Sequence, residues 1–271
     1  HHARCRTRAS RIARGGSGVW YDAAQHVDLY DYAPLDRLRK AMLRDAQDHG
    51  SIKQNRVTVW ERKLLAVIAD DLGLRRYHLL HPSWMYHGLS GWWGGTDGAN
   101  RALRGLAFDA IPVPHPPLSL PLPERFVAVR FYARHTWPLT DELKVWMADL
   151  VDRLAKKLPV VVLNSPFHTD DHLDMAFEGP NIIPLAPHLS LTTNLAAQSA
   201  VVAKAQAFVG TYGGTMQLAV RLRKPAAGFY ASLDGTAYAH VELTHRLGVM
   251  QGTPVFIGKP DDGKFVEEVF A

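Results

Sequence analysis

Hydrophobic and polar positions alternate regularly through the second half of the chain. Short apolar runs, bounded by polar or turn-forming residues, occur at 126–132, 160–163, 181–185, 207–210, 226–230 and 255–258. Between the first two runs, Leu143, Met147 and Leu150 recur at helical spacing, which predicts a helix that Thr140 caps and Pro159 ends. Further helices are predicted from about 194 to 205, over 215–223, and between the last two runs. Short apolar strands alternating with helices are typical of a parallel sheet covered on both faces, so the predicted fold class is α/β.

The first half of the chain is less regular and suggests a different domain. Helices are predicted at 35–48 and 61–72, and a strand at 75–83. Six prolines fall within residues 111–123, a density that excludes a helix or a central strand and favours an extended linker. A proline-rich ligand for another protein is the alternative. The predicted organisation is a basic tail (1–18), a partial α/β domain (19–110), a linker (111–124) and a Rossmann-like domain (125–271).

Charge and cysteine content narrow the range of partners. The net charge is +5, but five arginines lie among the first fourteen residues, and the rest of the chain is close to neutral. This predicts a solvated tail that at most tethers the protein to a membrane surface, and no nucleic-acid partner is expected. Cys5 is the single cysteine, so no internal disulfide forms, and a cytoplasmic, reducing compartment is expected. The chain begins with His1 rather than Met, which suggests an N-terminally incomplete protein, and no secretory signal is expected.

The segment at 207–230 carries the clearest chemical signal, a strand, a glycine-containing turn, a helix and another strand. Gly210, Gly213 and Gly214 are expected to allow positive φ and close approach of a phosphate to the backbone. The amides of Gly214, Thr215 and Met216 would then open the helix and form an anion site. Hydroxyl groups of Thr211 and Thr215 are candidate additional donors. A tight turn without a ligand is the alternative, and the spacing matches neither the dinucleotide fingerprint nor the P-loop.

The sequence AVVAKAQAFVGTYGGTMQLAVRLRKPAAGFY (200–230) resembles the second domain of GT-B glycosyltransferases of the heptosyltransferase-like group. The likeness covers 126 to about 258. It implies two Rossmann-like domains, the first small or incomplete, and transfer of a sugar from a nucleotide-diphosphate sugar to a carbohydrate or glycan acceptor. Catalysis in this family usually needs no bound metal, so no cofactor is expected. Thr211 and Gln217 stand near places where the heptosyltransferase pattern has Asp and His, which leaves the donor's identity open.

Residues at the ends of other predicted strands extend the candidate site. Arg130 is expected to clamp the diphosphate and stabilise leaving-group charge. His81, before a proline turn in the first domain, is the candidate base that deprotonates the acceptor hydroxyl, with a hydrogen-bonded structural histidine as the alternative. The remaining candidate substrate-binding residues are Arg134, His135, Asn164, Ser165, Asn194, Gln198 and Tyr212.

Three alternatives stay open at this level. The HTDDH segment (168–172) has metal-ligand side chains, but its residues are consecutive, which favours a polar turn over a metal site. Trp84, Trp92 and Trp93 suit either sugar stacking or a core. The chain is also compatible with a non-catalytic nucleotide- or sugar-binding module. It is compatible with a nucleotide-sugar epimerase as well, although an epimerase needs several carboxylates in the cleft.

Overall fold

A computed structural model of the chain describes residues 19–21, 25–27, 44, 48, 57–75, 94–104, 120–133, 137–166, 173–190, 194–233 and 237–266. The chain divides into two compact units, His1–Trp93 and Gly94–Ala271. In the first unit, β1 (Val19–Tyr21) pairs antiparallel with β2 (Gln25–Val27). Helix α1 (Val59–Asp71) begins with a capping box between Thr58 and Glu61 and ends before Gly73.

The second unit contains a six-stranded parallel sheet with helices on both faces. Helix α2 (Gly95–Leu103) precedes it. The elements that follow are β3 (Val127–Arg130), β4 (Tyr132–Ala133), α3 (Asp141–Lys157), β5 (Val160–Val162), β6 (Leu173–Asp174), β7 (Ile182–Pro184), a 3-10 turn (Ala186–His188), α4 (Asn194–Lys204), β8 (Ala207–Thr211), α5 (Gly214–Arg221), β9 (Ala226–Phe229), α6 (Ala237–Gln251), β10 (Val255–Gly258) and a 3-10 helix (Pro260–Phe265). This confirms the predicted α/β class with a Rossmann-like sheet.

The strands lie in the order β10-β9-β8-β3-β5-β7, and every neighbouring pair is parallel. β4 and β6 form a separate antiparallel pair in which Tyr132 lies opposite Asp174. The predicted run at 126–132 therefore divides at Phe131: its first part enters the central sheet, and its last residue leaves the sheet to pair with β6. After β3 the chain therefore leaves the central sheet and pairs with β6, which follows β5 in the sequence.

Alternate residues of the strands fill two cores, one on each face of the sheet. Val127, Val129 and Val162 pack against α3 together with aromatic residues such as Phe131 and Phe229, whose ring centroids are 6.5 Å apart. Ala128, Val161 and Phe208 face the opposite side, which α4 to α6 cover. Burial on both faces explains why these strands read as continuous apolar runs.

Helix α2 belongs to the same compact unit as the sheet and packs against α6. Arg246 of α6 donates through Nη1 to the carbonyl of Leu103 at 3.2 Å and through Nη2 to Oδ1 of Asn100 at 2.8 Å. The compact unit thus includes residues 95–103, which the sequence analysis assigned to the partial first domain without predicting a helix there. Most of the linker lies outside the described residues, so the predicted domain limits stay a prediction.

The predicted helices agree with the observed ones within about two residues at most ends. Thr140 caps α3 by accepting from the amide of Leu143 at 3.3 Å, and α3 ends at Lys157, ahead of Pro159. Most of the helix predicted at 35–48 and of the strand predicted at 75–83 lies outside the described residues. No helix in the described part of the chain is long and apolar enough to cross a membrane.

Candidate functional site

The candidate site lies where the order of the sheet reverses. From β3 the chain winds outward through β5 to β7, returns to β8 beside β3, and then winds the other way through β9 to β10. Ligands of open parallel sheets bind beyond the carboxyl ends of the strands at such a reversal. Arg130 ends β3 opposite Gly210, and Thr211 ends β8. The candidate residues of β3 and β8 therefore lie at the position that the topology favours.

Helix α5 begins directly beyond this edge with its first amides unused by the helix. The first helical hydrogen bond runs from the amide of Gln217 to the carbonyl of Gly213 at 3.0 Å, so the amides of Gly214, Thr215 and Met216 make no helical hydrogen bond. Gly213, the N-cap residue, has no side chain to accept from them. The positive end of the helix dipole is thus presented at the reversal point, which favours a bound anion.

Gly210 and Gly213 of the turn are required for close approach, and the positive φ predicted for the glycines of the turn is wrong. Positive-φ glycines in the described part are Gly73, Gly95, Gly179 and Gly252, while Gly213 is extended with φ of 166°. A β-carbon at Gly210 would overlap the carbonyl of Arg130, and one at Gly213 would overlap the hydroxyl of Tyr132. A β-carbon at Gly214 would meet nothing within 4 Å. The turn therefore admits β3 and Tyr132 closely, and Gly214 faces open space.

Arg130 is held by a carboxylate that the sequence analysis did not identify. Its Nε and Nη2 donate to Oδ1 and Oδ2 of Asp174 at 3.0 and 3.1 Å, and its Nη1 donates to Oγ1 of Thr215 at 3.1 Å. The amide of Ser165 donates to the same Asp174 Oδ2 at 2.9 Å. Both side chains of the ion pair are largely buried, with 19% and 11% exposed. This network joins the ends of β3, β5 and β6 to the first turn of α5.

Tyr132 completes this edge. The guanidinium carbon of Arg130 lies 5.4 Å from the centroid of the Tyr132 ring, which is a cation–π distance. The ring is 2% exposed, and its hydroxyl lies against Gly213 at the start of α5. Arg130 is therefore packed between an aromatic face, a carboxylate and the amino end of a helix.

With this geometry in place, one solved structure is found to be similar. It is "E. coli heptosyltransferase WaaC with ADP", at 15% identity and a TM-score of 0.36, covering 80% of this chain. The present chain spans 58% of the length of that chain. No protein-family model and no curated protein matches the sequence. A structural similarity of this size does not assign a family.

Two residues that follow β5 reach the same edge. Asn164 and Ser165 come directly after the strand, and Ser165 contributes its backbone amide to Asp174. Oδ1 of Asn164 is buried and has no hydrogen-bond partner among the described residues. A buried acceptor in this state suits a ligand hydroxyl or amino group that donates to it.

Thr211 and Met216 serve the framework of the site through their side chains. Oγ1 of Thr211 accepts from the amide of Tyr132 at 3.0 Å and donates to the Tyr132 carbonyl at 3.2 Å. This exchange fixes β4 against the end of β8. The Met216 side chain is fully buried in the core on the α4–α6 face, so only its backbone amide faces the turn. Thr215 is the threonine whose hydroxyl lies at the edge.

Asn194 and Gln198 bond to each other on α4. Nε2 of Gln198 donates to Oδ1 of Asn194 at 2.8 Å, and Gln198 is 5% exposed. The structure does not join this pair to the Arg130 network by a hydrogen bond between described residues. Their predicted role in substrate binding stays a prediction.

Tyr212 packs into the core although the sequence placed it in the site. Burial raises the pKa of its phenol to about 12, and the neighbouring Thr244 and Gln217 side chains oppose that shift without cancelling it. A phenol in this state is neutral across the physiological range. It therefore supports the turn by packing and carries no charge toward a ligand.

The raised pKa of Tyr212 predicts a loss of stability in alkali. The folded state disfavours ionisation of the Tyr212 phenol. The contribution of the neutral phenol to stability is therefore complete below pH 10 and is lost as the pH rises toward 12. Between these values the free energy of unfolding should fall more steeply in the wild type than in Tyr212→Phe, by up to about 1.4 kcal/mol per pH unit. Urea unfolding at a series of pH values measures both slopes. Equal slopes would contradict the assignment.

Several predicted positions lie outside the described residues. These are His81, Arg134, His135 and the HTDDH segment at 168–172. Among the residues that the structure does describe, no group of three or more potential metal ligands comes together. The proposed catalytic base and the loop after β4 therefore stay predictions.

Sequence reasoning missed Asp174 and Tyr132. Tyr132 follows Arg130 by two residues in an extended run, so a shared face was the available signal. Asp174 is separated from Arg130 by 44 residues, and the irregular segment before it gives no period from which its position follows. The order of the strands brings Asp174 and Arg130 together, and the periodicity of the sequence does not predict that order.

Proposed function

We propose that the second unit binds the diphosphate of a nucleotide-diphosphate sugar at the carboxyl ends of β3 and β8, and that the protein is a glycosyltransferase. The observation that carries the proposal is the uncapped amino end of α5, which faces Arg130 at the reversal point of the sheet. Helix amides and a guanidinium are the donors that phosphate oxygens prefer. Both kinds of donor converge on Thr215.

The same donors suit the chemistry of sugar transfer. When the bond between the anomeric carbon and the diphosphate breaks, negative charge develops on the leaving phosphate oxygens. Donors already fixed by the fold stabilise that charge more than the ground state, which is how they lower the barrier. In this proposal the amides of Gly214 and Thr215 and the guanidinium of Arg130 act on the leaving group. The residue predicted from the sequence to deprotonate the acceptor hydroxyl, His81, lies outside the described residues.

An epimerase is less well supported by this edge. Proton transfer at a sugar carbon needs a carboxylate or another base that is free to exchange a proton. At the described part of the edge the carboxylate is Asp174, and it accepts three hydrogen bonds, from Nε and Nη2 of Arg130 and the amide of Ser165. Because both carboxylate oxygens are engaged by these donors, Asp174 fits a structural role better than acid–base work.

Gly214 offers a test in which stability and binding change in opposite directions. Gly214→Asp adds a carboxylate to the first turn of α5, where it interacts favourably with the helix dipole by about 0.3–1 kcal/mol. A β-carbon at this position meets no neighbouring atom within 4 Å, so the fold is expected to persist. An anion bound at the same amides would be repelled. We expect the melting temperature to be unchanged or higher and the affinity for UDP, GDP, ADP or dTDP, whichever the wild type binds, to fall at least tenfold.

Gly214→Asn is the matched control, because it has nearly the same size without the charge. Isothermal titration of wild type, Gly214→Asn and Gly214→Asp with the nucleoside diphosphate separates steric from electrostatic effects. The proposal predicts that the aspartate variant binds more weakly than the asparagine variant and that this difference shrinks in high salt. Equal affinities of the two variants would place the anion elsewhere and remove the proposed site.

A further inference from the structure

The guanidinium of Arg130 has two edges that accept bidentate partners, and Asp174 occupies one of them. Nε and Nη2 face Asp174 side-on, at 3.0 and 3.1 Å. The other edge consists of Nη1 and the second N–H of Nη2, and Nη1 donates to Thr215 at the start of α5. Of the five N–H groups, three donate to described residues, which leaves one on each Nη atom. The second edge therefore lies toward the amino end of α5, where the Thr215 hydroxyl accepts from Nη1.

Asp174 is itself fixed from the opposite side. Its Oδ2 accepts both Nη2 of Arg130 and the amide of Ser165, which follows β5. Its backbone belongs to β6, which pairs with β4 at Tyr132. With 11% of its side chain exposed, the carboxylate has little freedom to turn away. The orientation of the Arg130 fork is therefore set by two strands and a backbone amide, and the ring of Tyr132 supports it from a further side.

We infer that Asp174 is a positioning residue, which holds Arg130 side-on so that its remaining edge is aimed at a diphosphate on the α5 amides. The inference rests on the proposed function and adds the residue that orients its guanidinium. An arginine side chain loses considerable rotational freedom when it is fixed, and a binding site that has already fixed it avoids that cost when the ligand arrives. Because Asp174 occupies the side edge, it does not compete with a ligand for the end edge.

Removing the Asp174 carboxylate should change anion affinity in opposite directions, depending on whether it neutralises Arg130 or positions it. If the carboxylate only neutralised Arg130, its removal would leave a free cation and strengthen the binding of an anion. If it positions Arg130, its removal weakens binding. Titration of the full chain with inorganic pyrophosphate as the probe distinguishes these outcomes. We expect about tenfold weaker binding in Asp174→Asn, and weaker binding also in Asp174→Glu, which keeps the charge and moves the carboxylate by one methylene.

Two further variants separate positioning from a general loss of structure. Asp149→Asn removes a carboxylate that pairs with Arg153 on α3, and its affinity for pyrophosphate should equal that of the wild type. In an Arg130→Met background, Asp174→Asn should cause no further loss of affinity, because the group that it orients is absent. Circular dichroism and melting temperatures verify that each variant is folded.

The outcomes assign failure to one claim or to the other. The inference is supported if both Asp174 variants bind pyrophosphate more weakly than the wild type and if Asp174→Asn has no further effect on affinity in the Arg130→Met background. Unchanged or stronger binding in Asp174→Asn, or wild-type affinity in Asp174→Glu, overturns the inference. In that case the proposed anion site still stands if Gly214→Asp binds more weakly than Gly214→Asn. Equal affinity in the two Gly214 variants contradicts the proposed function itself, and the inference fails with it.

Discussion

Replacing Gly210 by alanine is expected to destabilise the second unit by about 3 kcal/mol or more. Gly210 lies in β8 directly opposite Arg130 of β3, and a β-carbon there would overlap the Arg130 carbonyl. Backbone in the centre of a parallel sheet moves only if the ladder shifts, so the overlap is not relieved by a side-chain rotation. The ring of Phe208 lies 3.0 Å from the place that the new methyl group would occupy, so the methyl group is also crowded by this side chain.

Gly214→Ala is the matched control for this prediction. The two glycines lie four residues apart, and a β-carbon at Gly214 meets nothing within 4 Å. Alanine is also a better helix former than glycine, so the control should be neutral or slightly more stable. Urea unfolding followed by circular dichroism gives both free energies. A Gly210→Ala protein as stable as Gly214→Ala would mean that β3 and β8 do not meet as described.

Arg130→Met is expected to lower the free energy of unfolding by about 3 kcal/mol and to remove most diphosphate affinity. The stability effect arises because Asp174, which is 11% exposed, would lose the guanidinium that pairs with it. The binding effect arises because a charge-assisted donor is lost from the anion site. We expect affinity to fall on the order of a hundredfold, measured by titration with the nucleoside diphosphate that the wild type binds.

The double variant Arg130→Met/Asp174→Asn separates these two effects. Removing the carboxylate's charge together with its partner removes the uncompensated buried ion, so much of the lost stability should return. Diphosphate affinity should stay low, since the guanidinium is still missing. Recovery of both stability and affinity in the double variant would show that Arg130 serves the fold alone. Unchanged affinity in Arg130→Met would exclude the clamp directly.

The sequence was sufficient for the six strands of the central sheet and for α3 to α6, because these strands and helices are determined locally. Runs such as 160–163 are apolar because both faces of the sheet are covered, and α3 has a cap, an apolar stripe and a proline stop. Boundaries failed where tertiary pairing competes with propensity. At Phe131 the chain stays extended but changes partner, from the central sheet to β6, and no local pattern records that change.

The candidate site was predicted in part, for a similar reason. The turn, the free amides of α5 and Arg130 follow from local signals and from the rule that ligands bind at the carboxyl ends of parallel strands. The positive φ expected of the glycines was wrong, because close packing against Arg130 and Tyr132 excludes side chains at Gly210 and Gly213. Asp174 could not be found, since it meets Arg130 only after the sheet has formed.

The most direct measurement is isothermal titration of the full chain with UDP, GDP, ADP and dTDP, each with and without magnesium, and with the corresponding monophosphates. We expect that one base is preferred, that its diphosphate binds more tightly than its monophosphate, and that binding persists in EDTA because helix amides and Arg130 supply the positive charge. Gly214→Asp should weaken that binding selectively. Absence of binding by all four diphosphates, or equal binding of diphosphate and monophosphate, would contradict a diphosphate site at the amino end of α5.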